Sequence, residues 1–176
     1  MTGISFTIPE ITTDRLHLRL PRASDLPAHT AFRASDKAHF LGGPHSELNS
    51  FDHLLANIGH WHFYGYGRWI AADKATDEPL GMIGIHNAPD WPEPEIGWVT
   101  YLGHQRRGIA TEAAIASRNF AYDVLGWTRI VSLIDAANTA SIALARKLGC
   151  VHEGVHDHAR HGPLQIWRHL SPSEVT

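Results

Sequence analysis

The chain has 176 residues, of which 43% are hydrophobic and 19% charged, and its formal net charge is −3 at pH 7. These values predict one globular domain over residues 1–176 and give no support to nonspecific nucleic-acid binding. No stretch reaches the roughly 18 apolar residues of a membrane span, and the N-terminus lacks a signal-peptide layout. The single cysteine, Cys150, cannot form an intramolecular disulfide, which favours a reducing cytoplasmic location.

Hydrophobic periodicity predicts one strand and two helices in the N-terminal part of the chain. Apolar and polar residues alternate over residues 12–20, which predicts a strand with one buried face. Ser24 and Asp25 are predicted to cap a helix that runs toward Arg33. A second helix is expected from about Ser50.

The remainder of the chain is predicted as strands interrupted by two further helices. The predicted strands are residues 68–73, 80–86, 95–101, 128–135, 151–158 and 164–169, and the predicted helices begin near Ile109 and Asn138. The proline-rich loop over residues 87–94 carries Trp91 and is expected either to overhang a site or to be a plain connector. Strands and helices in this order predict a mixed sheet covered by helices.

A phosphate-binding loop is predicted between the strand that starts at Glu95 and the helix that starts at Ile109. A helix beginning there would direct unpaired backbone N–H groups and its positive dipole end at a ligand. Gly108 would allow close approach of the backbone, and Arg106 and Arg107 add positive charge. A P-loop is excluded because Ile109 stands where its lysine is required, and the dinucleotide pattern G-x-G-x-x-G is absent.

Three separated segments carry a resemblance to a known family. The Q-x-x-G-x-A run from Gln105 to Ala110 resembles the acetyl-CoA loop of the GNAT superfamily of N-acyltransferases. The segment TTDRLHLRLPRASD resembles the opening T-x-R-L-x-L-R of its RimJ/RimL branch, and Asn138-x-x-Ser141 resembles a later segment of that branch. The resemblance covers nearly the whole chain. It implies an α/β (α+β) GNAT fold with a mixed, mostly antiparallel sheet of about six to seven strands and helices on both faces.

The resemblance also implies a site that binds acetyl-CoA as co-substrate and needs no metal. The strand residues expected to bind the pantetheine arm are Trp98, Val99 and Thr100. The loop residues expected to bind the pyrophosphate are Arg106, Arg107, Gly108, Ile109, Ala110 and Thr111. Asn138 is expected to contact the pantetheine while it caps its helix.

Glu95 and Ser141 are the candidate catalytic residues. Glu95 opens the strand that would hold the thioester and is the first candidate base, ahead of His86 and Asp135. The other interpretation of Glu95 is a solvated or ion-paired carboxylate at the end of a strand. Ser141 is implied by the resemblance as the proton donor to the leaving thiolate. Many relatives use a tyrosine instead, and that position is Ala145 in this chain.

The expected reaction is acetyl transfer to a primary amine, either a protein N-terminus or a small molecule, by direct attack in a ternary complex. An alternative is a non-catalytic domain that senses acyl-CoA. The fourteen histidines leave a zinc site open as a less favoured hypothesis, while Cys150 is predicted to be a core residue and not a nucleophile. Neither nucleic acid nor a membrane is an expected partner, and the protein could be a monomer or a homodimer.

Overall fold

The computed structural model describes residues 6–171 and residue 174. Its strands are β1 (Ile11–Thr12), β2 (Leu16–Arg19), β3 (Arg68–Asp73), β4 (Pro79–His86), β5 (Glu95–Thr100), β6 (Val131–Asp135), β7 (Val151–His158) and β8 (Gly162–Arg168). Its α-helices are α1 (Leu26–Arg33), α2 (Glu47–Tyr64), α3 (Ile109–Asn119) and α4 (Thr139–Lys147). Short 3₁₀ segments cover Ala23–Asp25 and Asp36–Leu41, and α3 continues into a π-helical turn, Phe120–Val124.

The strands form one eight-stranded sheet in the order β1-β2-β3-β4-β5-β6-β8-β7. All neighbouring strands are antiparallel except β5 and β6, which are parallel. The predicted mixed, mostly antiparallel sheet is therefore confirmed. Among the described residues, no helix is both long enough and apolar enough to cross a bilayer.

The sheet has more strands than predicted because the strand expected over residues 12–20 is two strands. Thr13 forms a turn between them: its hydroxyl accepts a hydrogen bond from Leu16 N (3.0 Å), and its amide donates to Leu16 O (2.9 Å). This turn folds β1 back onto β2, with Ile11 opposite Leu18. The apolar alternation is real, but it does not reveal the turn.

Two predicted helix starts differ from the structure. Asp25 does not cap α1 with its side chain. Its carboxylate accepts a hydrogen bond from Arg22 N (2.7 Å) and forms two bonds of 2.9 Å with the buried Arg19 guanidinium. Helix α2 starts before Ser50, because Ser46 is the N-cap and accepts from Asn49 N (3.2 Å).

Successive side chains of the central strands enter different clusters of the core. Trp69 and Ala71 of β3 pack in the larger cluster, together with Ala113 and Ala114 of α3. Ile70 and Ala72 pack in a second cluster; its other buried members include Phe32 of α1, Leu54 of α2 and Met82 of β4. This alternation follows from the two-residue repeat of a strand and leaves helices on both faces of the sheet.

Candidate functional site

Strands β5 and β6 separate shortly after they begin. Their parallel pairing has one register pair, Glu95 opposite Val131. Just beyond it, the Ser132 hydroxyl donates to Ile96 O (2.6 Å), while β5 stays paired with β4 as far as Thr100. In the described chain, the β6 side of β5 therefore has no strand neighbour after this point, which leaves an open slot beside an extended backbone.

A buried chain of hydrogen bonds connects β5 and β6 at their junction, just before the two strands separate. His169 lies between Cys150 (Nδ1–Sγ 3.3 Å) and Ser132 (Nε2–Oγ 2.9 Å). Burial lowers the pKa of His169 to about 3 and raises the pKa of the Cys150 thiol to about 12. Because Ser132 donates to Ile96 O, one direction satisfies the chain: Cys150 donates to neutral His169, which donates to Ser132. Cys150 is a buried thiol, as predicted.

The loop after β5 ends at a helix terminus that has no side-chain cap. Gln105 ties the loop to β5, because its Nε2 donates to Thr100 O (3.1 Å) and Tyr101 O (2.8 Å). Gly108 is the N-cap of α3, with a φ of 80°, and Glu112 N donates to its carbonyl (3.0 Å). The amides of residues 109–111 precede that bond and have no intrahelical acceptor, so they form a potential anion site together with the helix dipole.

Arg15 fixes the shape of this loop from the N-terminal part of the chain. Its guanidinium donates to Glu112 Oε2 (2.7 Å) and to Arg107 O (2.9 Å), and Thr13 donates to Glu112 Oε1 (2.6 Å). Although burial alone would raise the pKa of Glu112, these bonds hold it below its usual value. The side chains of Arg106 and Arg107 stay exposed, and Arg107 contacts His104 Nδ1 (2.9 Å).

Ser141 lies at the start of α4, on the other side of the slot from β5. Asn138 caps the helix by accepting from Ser141 N (3.1 Å). Trp98 Nε1 donates to Ser141 Oγ (3.2 Å). The serine oxygen thus acts as an acceptor, and among the described residues its own proton is not committed to any partner. A hydroxyl in this state can donate to a ligand in the slot.

Glu95 lies at the closed end of the slot as part of an ion pair. Its Oε1 is 3.4 Å from Arg68 Nη2, and its Oε2 accepts from Leu133 N (3.2 Å). Arg68 of β3 reaches Glu95 across β4 and passes Gly97, where a Cβ would lie 3.3 Å from Arg68 Nη2. Glu95 is therefore an ion-paired carboxylate at the start of a strand, and the residue also lines the cavity described next.

The other two candidate bases occupy different environments. Burial, with the charge of Arg68 and the proximity of His60, lowers the pKa of His86 to about 2, so this imidazole is a weak base. Asp135 accepts a hydrogen bond from Ala137 N (2.7 Å) in the turn before α4.

One cavity of about 330 Å³ brings several predicted residues together. Glu95, Trp98, Val99, Asn138 and Ser141 all line it. Thr100 and the loop residues 106–111 lie outside its lining.

Sequence reasoning missed the helical side of this cavity. The helical side of the cavity includes His29 and Arg33 of α1 and His53 of α2. Arg68 of β3 and Trp91 of the proline-rich loop also line the cavity. The spacing of His29 and Arg33, four residues apart on one helix, puts both on one face and was the available signal.

Two histidines of β7 contact Asp90. His156 Nε2 contacts Asp90 O (2.9 Å), and His158 Nδ1 lies 3.3 Å from the Asp90 carboxylate. Within residues 6–171, no three His, Cys, Asp or Glu side chains are grouped so that they could hold a metal ion.

Comparisons with known proteins point to one family. The model of the acetyltransferase (GNAT) domain matches residues 15–151. The crystal structure of the acetyltransferase from Agrobacterium tumefaciens str. C58 shares 33% identity and a TM-score of 0.86, covering 97% of this chain and 99% of that one. The uncharacterized N-acetyltransferase YoaA of Bacillus subtilis (strain 168) is 34% identical over 151 residues, 84% of this chain and 85% of YoaA. RimL, a ribosomal L7/L12 alpha-N-protein acetyltransferase, shares the fold at 19% identity, with a TM-score of 0.74 and coverage of 97% of this chain and 99% of RimL. The chain therefore belongs to the GNAT acetyltransferase family.

Proposed function

We propose that this protein transfers the acetyl group of acetyl-CoA to a primary amine by direct attack in a ternary complex. The observation that carries the proposal is the slot between β5 and β6. Past Glu95, β5 is paired with β4 only, and Glu95 and Ser141 line the same cavity. The uncapped N-terminus of α3 follows β5 directly along the chain. A thioester arm and an anionic phosphate group can thus be bound by adjacent elements.

The residues present fit acetyl-CoA. Trp98, Val99 and Thr100 would offer the free side of β5 to the pantetheine, whose amides need backbone partners. Asn138, at the opposite wall, would offer its side-chain amide. The loop amides would bind the pyrophosphate, and the residues concerned are Arg106, Arg107, Gly108, Ile109, Ala110 and Thr111.

In the proposed reaction the amine nitrogen attacks the thioester carbonyl carbon. A C–N bond forms, the C–S bond breaks, the amine loses a proton and the sulfur gains one. A backbone N–H of β5 directed at the carbonyl oxygen would stabilise the charge that develops there, a contribution of about 3 kcal/mol in other acyl-transfer enzymes. Holding both reactants in one slot supplies the orientation that the reaction needs.

Glu95 is the proposed acceptor of the amine proton, directly or through water. An alkyl amine with a pKa near 10 loses its proton at pH 7 at a cost of about 4 to 5 kcal/mol, so a carboxylate beside the entry of the amine assists the reaction. Arg68 holds this carboxylate in place, since Arg68 Nη2 and Glu95 Oε1 are 3.4 Å apart. Glu95 thus combines the structural role with the proposed catalytic one.

Ser141 is the proposed donor to the leaving sulfur. Its proton has no partner among the described residues, while Trp98 and the Asn138 cap hold its oxygen and its backbone in position. Position 145, where many relatives carry a tyrosine, is a buried alanine.

Calorimetric titration with acetyl-CoA, followed by measurement of free-thiol release against a panel of amines, tests the proposal. Micromolar binding of acetyl-CoA, no comparable binding of ATP or NAD, and thiol release with one class of amine are expected. Binding without release for any amine would favour the non-catalytic sensor. Absence of acetyl-CoA binding would overturn the proposal.

A further inference from the structure

Arg33 is a buried arginine whose guanidinium has no partner among the described residues. The residue is 7% exposed, its Nε is fully buried without a hydrogen-bond partner, and no other described residue pairs with its guanidinium. The other two strongly buried arginines are satisfied: Arg19 binds Asp25, and Arg168 binds Glu93 and Glu153. A buried cation without an anion is unfavourable, so the position of Arg33 in the cavity wall points to an anion supplied by a ligand.

The charged side chains that line the cavity are three arginines, Arg33, Arg68 and Arg160, and two carboxylates, Glu95 and Asp135. Glu95 neutralises Arg68, whereas Arg33 and the exposed Arg160 have no carboxylate partner among the described residues. Burial, followed by the like charges of Arg68 and Arg160, lowers the pKa of Arg33. A ligand oxyanion beside Arg33 would compensate for the burial of its guanidinium by pairing with it. The oxyanion would also offset the like charges of Arg68 and Arg160.

His53 offers a further hydrogen-bond donor beside Arg33. Its Nδ1 lies 3.2 Å from His29 Nε2 and 3.4 Å from the side-chain amide of Asn57, and the His29 Nδ1 lies 3.0 Å from the Tyr101 hydroxyl. Asn57 Nδ2 can only donate, so Nδ1 of His53 is assigned as the acceptor and its proton belongs on Nε2. Burial, together with the charge of Arg33, keeps the ring neutral by lowering its pKa to about 2. Its Nε2–H has no described partner and can donate to a ligand in the cavity.

We propose that the acceptor is a small amine that also carries an oxyanion, a carboxylate or a phosphate, and that Arg33 and His53 bind this group. The inference rests on the proposed acetyl transfer and assigns its acceptor. The planar guanidinium fork matches both oxyanions, and the cavity of about 330 Å³ that Arg33 lines has room for a small acceptor. Held at Arg33, the acceptor would direct its amine toward Glu95, which lines the same cavity.

Matched pairs of amines test this assignment. Each pair differs only in the oxyanion: tyrosine and tyramine, lysine and cadaverine, glutamate and 4-aminobutyrate, phosphoethanolamine and ethanolamine. The acidic or more acidic member of at least one pair is expected to have a kcat/KM at least ten times that of the other, and the best pair distinguishes carboxylate from phosphate. Equal or higher kcat/KM for the less acidic member of every pair would overturn the inference and leave acetyl transfer standing.

Variants of Arg33 connect the preference to this residue. Arg33→Met should reduce the ratio of kcat/KM within the preferred pair to nearly one, and Arg33→Lys should restore part of it, because lysine keeps the charge but not the fork. Arg160→Ala, at an exposed position, should reduce the ratio by less. Arg22→Met removes the same charge from an exposed site outside the cavity and should leave the ratio unchanged. An unchanged ratio in folded Arg33→Met would contradict the proposal.

A binding measurement separates failure of this inference from failure of acetyl transfer. If no amine releases thiol, calorimetry with the same pairs still tests the oxyanion site. Binding of an acidic member to the wild type, weakened at least tenfold in Arg33→Met, would support it. Absence of binding by every acidic member, or binding that Arg33→Met leaves unchanged, would overturn it.

Discussion

Ser141 shows how one residue can be fixed in place and still be free to react. Its amide is held by Asn138 and its oxygen by the Trp98 indole, while its proton has no partner among the described residues and can be donated to a ligand in the cavity. The local sequence indicated a helix cap, since asparagine is a preferred N-cap residue. The contact with Trp98 joins residues 43 positions apart and could not be read from the sequence.

Replacement of Ser141 with alanine is expected to lower kcat by about 100-fold, the usual contribution of a positioned proton donor. The dissociation constant of acetyl-CoA should change by less than about threefold, because the pantetheine and the pyrophosphate would be bound elsewhere. Stopped-flow thiol release and calorimetry measure the two quantities.

The matched control is Thr139→Ala, which removes an exposed hydroxyl from the same helical turn. It should leave kcat unchanged. If Ser141→Ala retains the wild-type kcat, water protonates the sulfur and the role proposed for Ser141 is wrong.

Glu95 and Arg33 show the limit of sequence reasoning at this scale. Both interpretations of Glu95 followed from its place at the start of a strand, but its partner Arg68 comes from a strand on the far side of β4. Arg33 lay at the expected end of its helix, yet nothing in the sequence showed that it is buried without an anion. Such environments depend on packing between elements, and local periodicity does not encode them.

At the scale of elements, two sequence signatures are one physical unit. Thr13 and Arg15 of the N-terminal segment bind Glu112 of α3, and Arg15 also binds the carbonyl of Arg107 in the loop. The bonded residues are about 100 positions apart in the sequence. These bonds hold the start of α3 in one shape before a ligand arrives. Preorganisation of this kind reduces the entropy lost on binding.

Replacement of Gly108 with valine is expected to weaken acetyl-CoA binding at least tenfold. The residue has a φ of 80°, and a Cβ there would lie 3.1 Å from Arg15 Nη2, so the side chain would strain the turn and disturb the Arg15 bonds. A bulky group would also block the approach of a phosphate to the loop amides. Calorimetry with acetyl-CoA measures the loss.

Gly65→Val provides the matched control for strain. Gly65 ends α2 with a φ of 72°, and a Cβ at this position would meet no atom of another element within 4 Å. Both variants should lose similar stability, on the order of 1 to 2 kcal/mol, but only Gly108→Val should lose affinity. If the two variants bind acetyl-CoA with equal affinity, the proposed role of the loop in phosphate binding is wrong.

Most elements were predictable because their apolar repeats are local. The loop between β5 and α3 was predictable because its motif is contiguous, and the strands β3 and β4 were predictable from their local patterns. The division of residues 12–20 into β1 and β2 was missed because the Thr13 turn is stabilised partly by Glu112, a residue of α3. The early start of α2 was missed because Ser46 caps a first turn that lacks an apolar repeat.

At the scale of the whole molecule, the interior contains polar groups that must remain uncharged. His29 is 2% exposed and bonded to Tyr101, and His169 is fully buried between Ser132 and Cys150. Burial, with the positive charge of neighbouring arginines, lowers the pKa of His29 to about 4 and that of His169 to about 3. Protonation of either ring would place a charge in the core beside groups arranged for the neutral form.

The stability of the fold should therefore decrease as the pH falls below about 6.5. The unfolded chain takes up protons at these histidines near their ordinary pKa of 6.5, whereas the folded chain does so only near pH 4 and pH 3. Between these limits the unfolded state binds more protons, so the free energy of unfolding falls by about 1.4 kcal/mol per pH unit for each histidine. Urea denaturation at pH 7.5, 6.5, 5.5 and 5.0 measures the slope.

The variants His29→Asn and His169→Asn separate this effect from general destabilisation. Each substitution should lower the free energy of unfolding at pH 7.5, because a buried hydrogen bond is disturbed. Between pH 6.5 and 5.0, however, the free energy of unfolding of each variant should fall less steeply than that of the wild type, by the amount that corresponds to about one proton. Carboxylates such as Glu93, whose pKa is held below its usual value by Arg168, add to the loss only at lower pH. A wild-type protein equally stable at pH 7.5 and 5.0 would show that these rings titrate normally. The buried histidine network would then be open to protons and could not hold the junction of β5 and β6 in a neutral form.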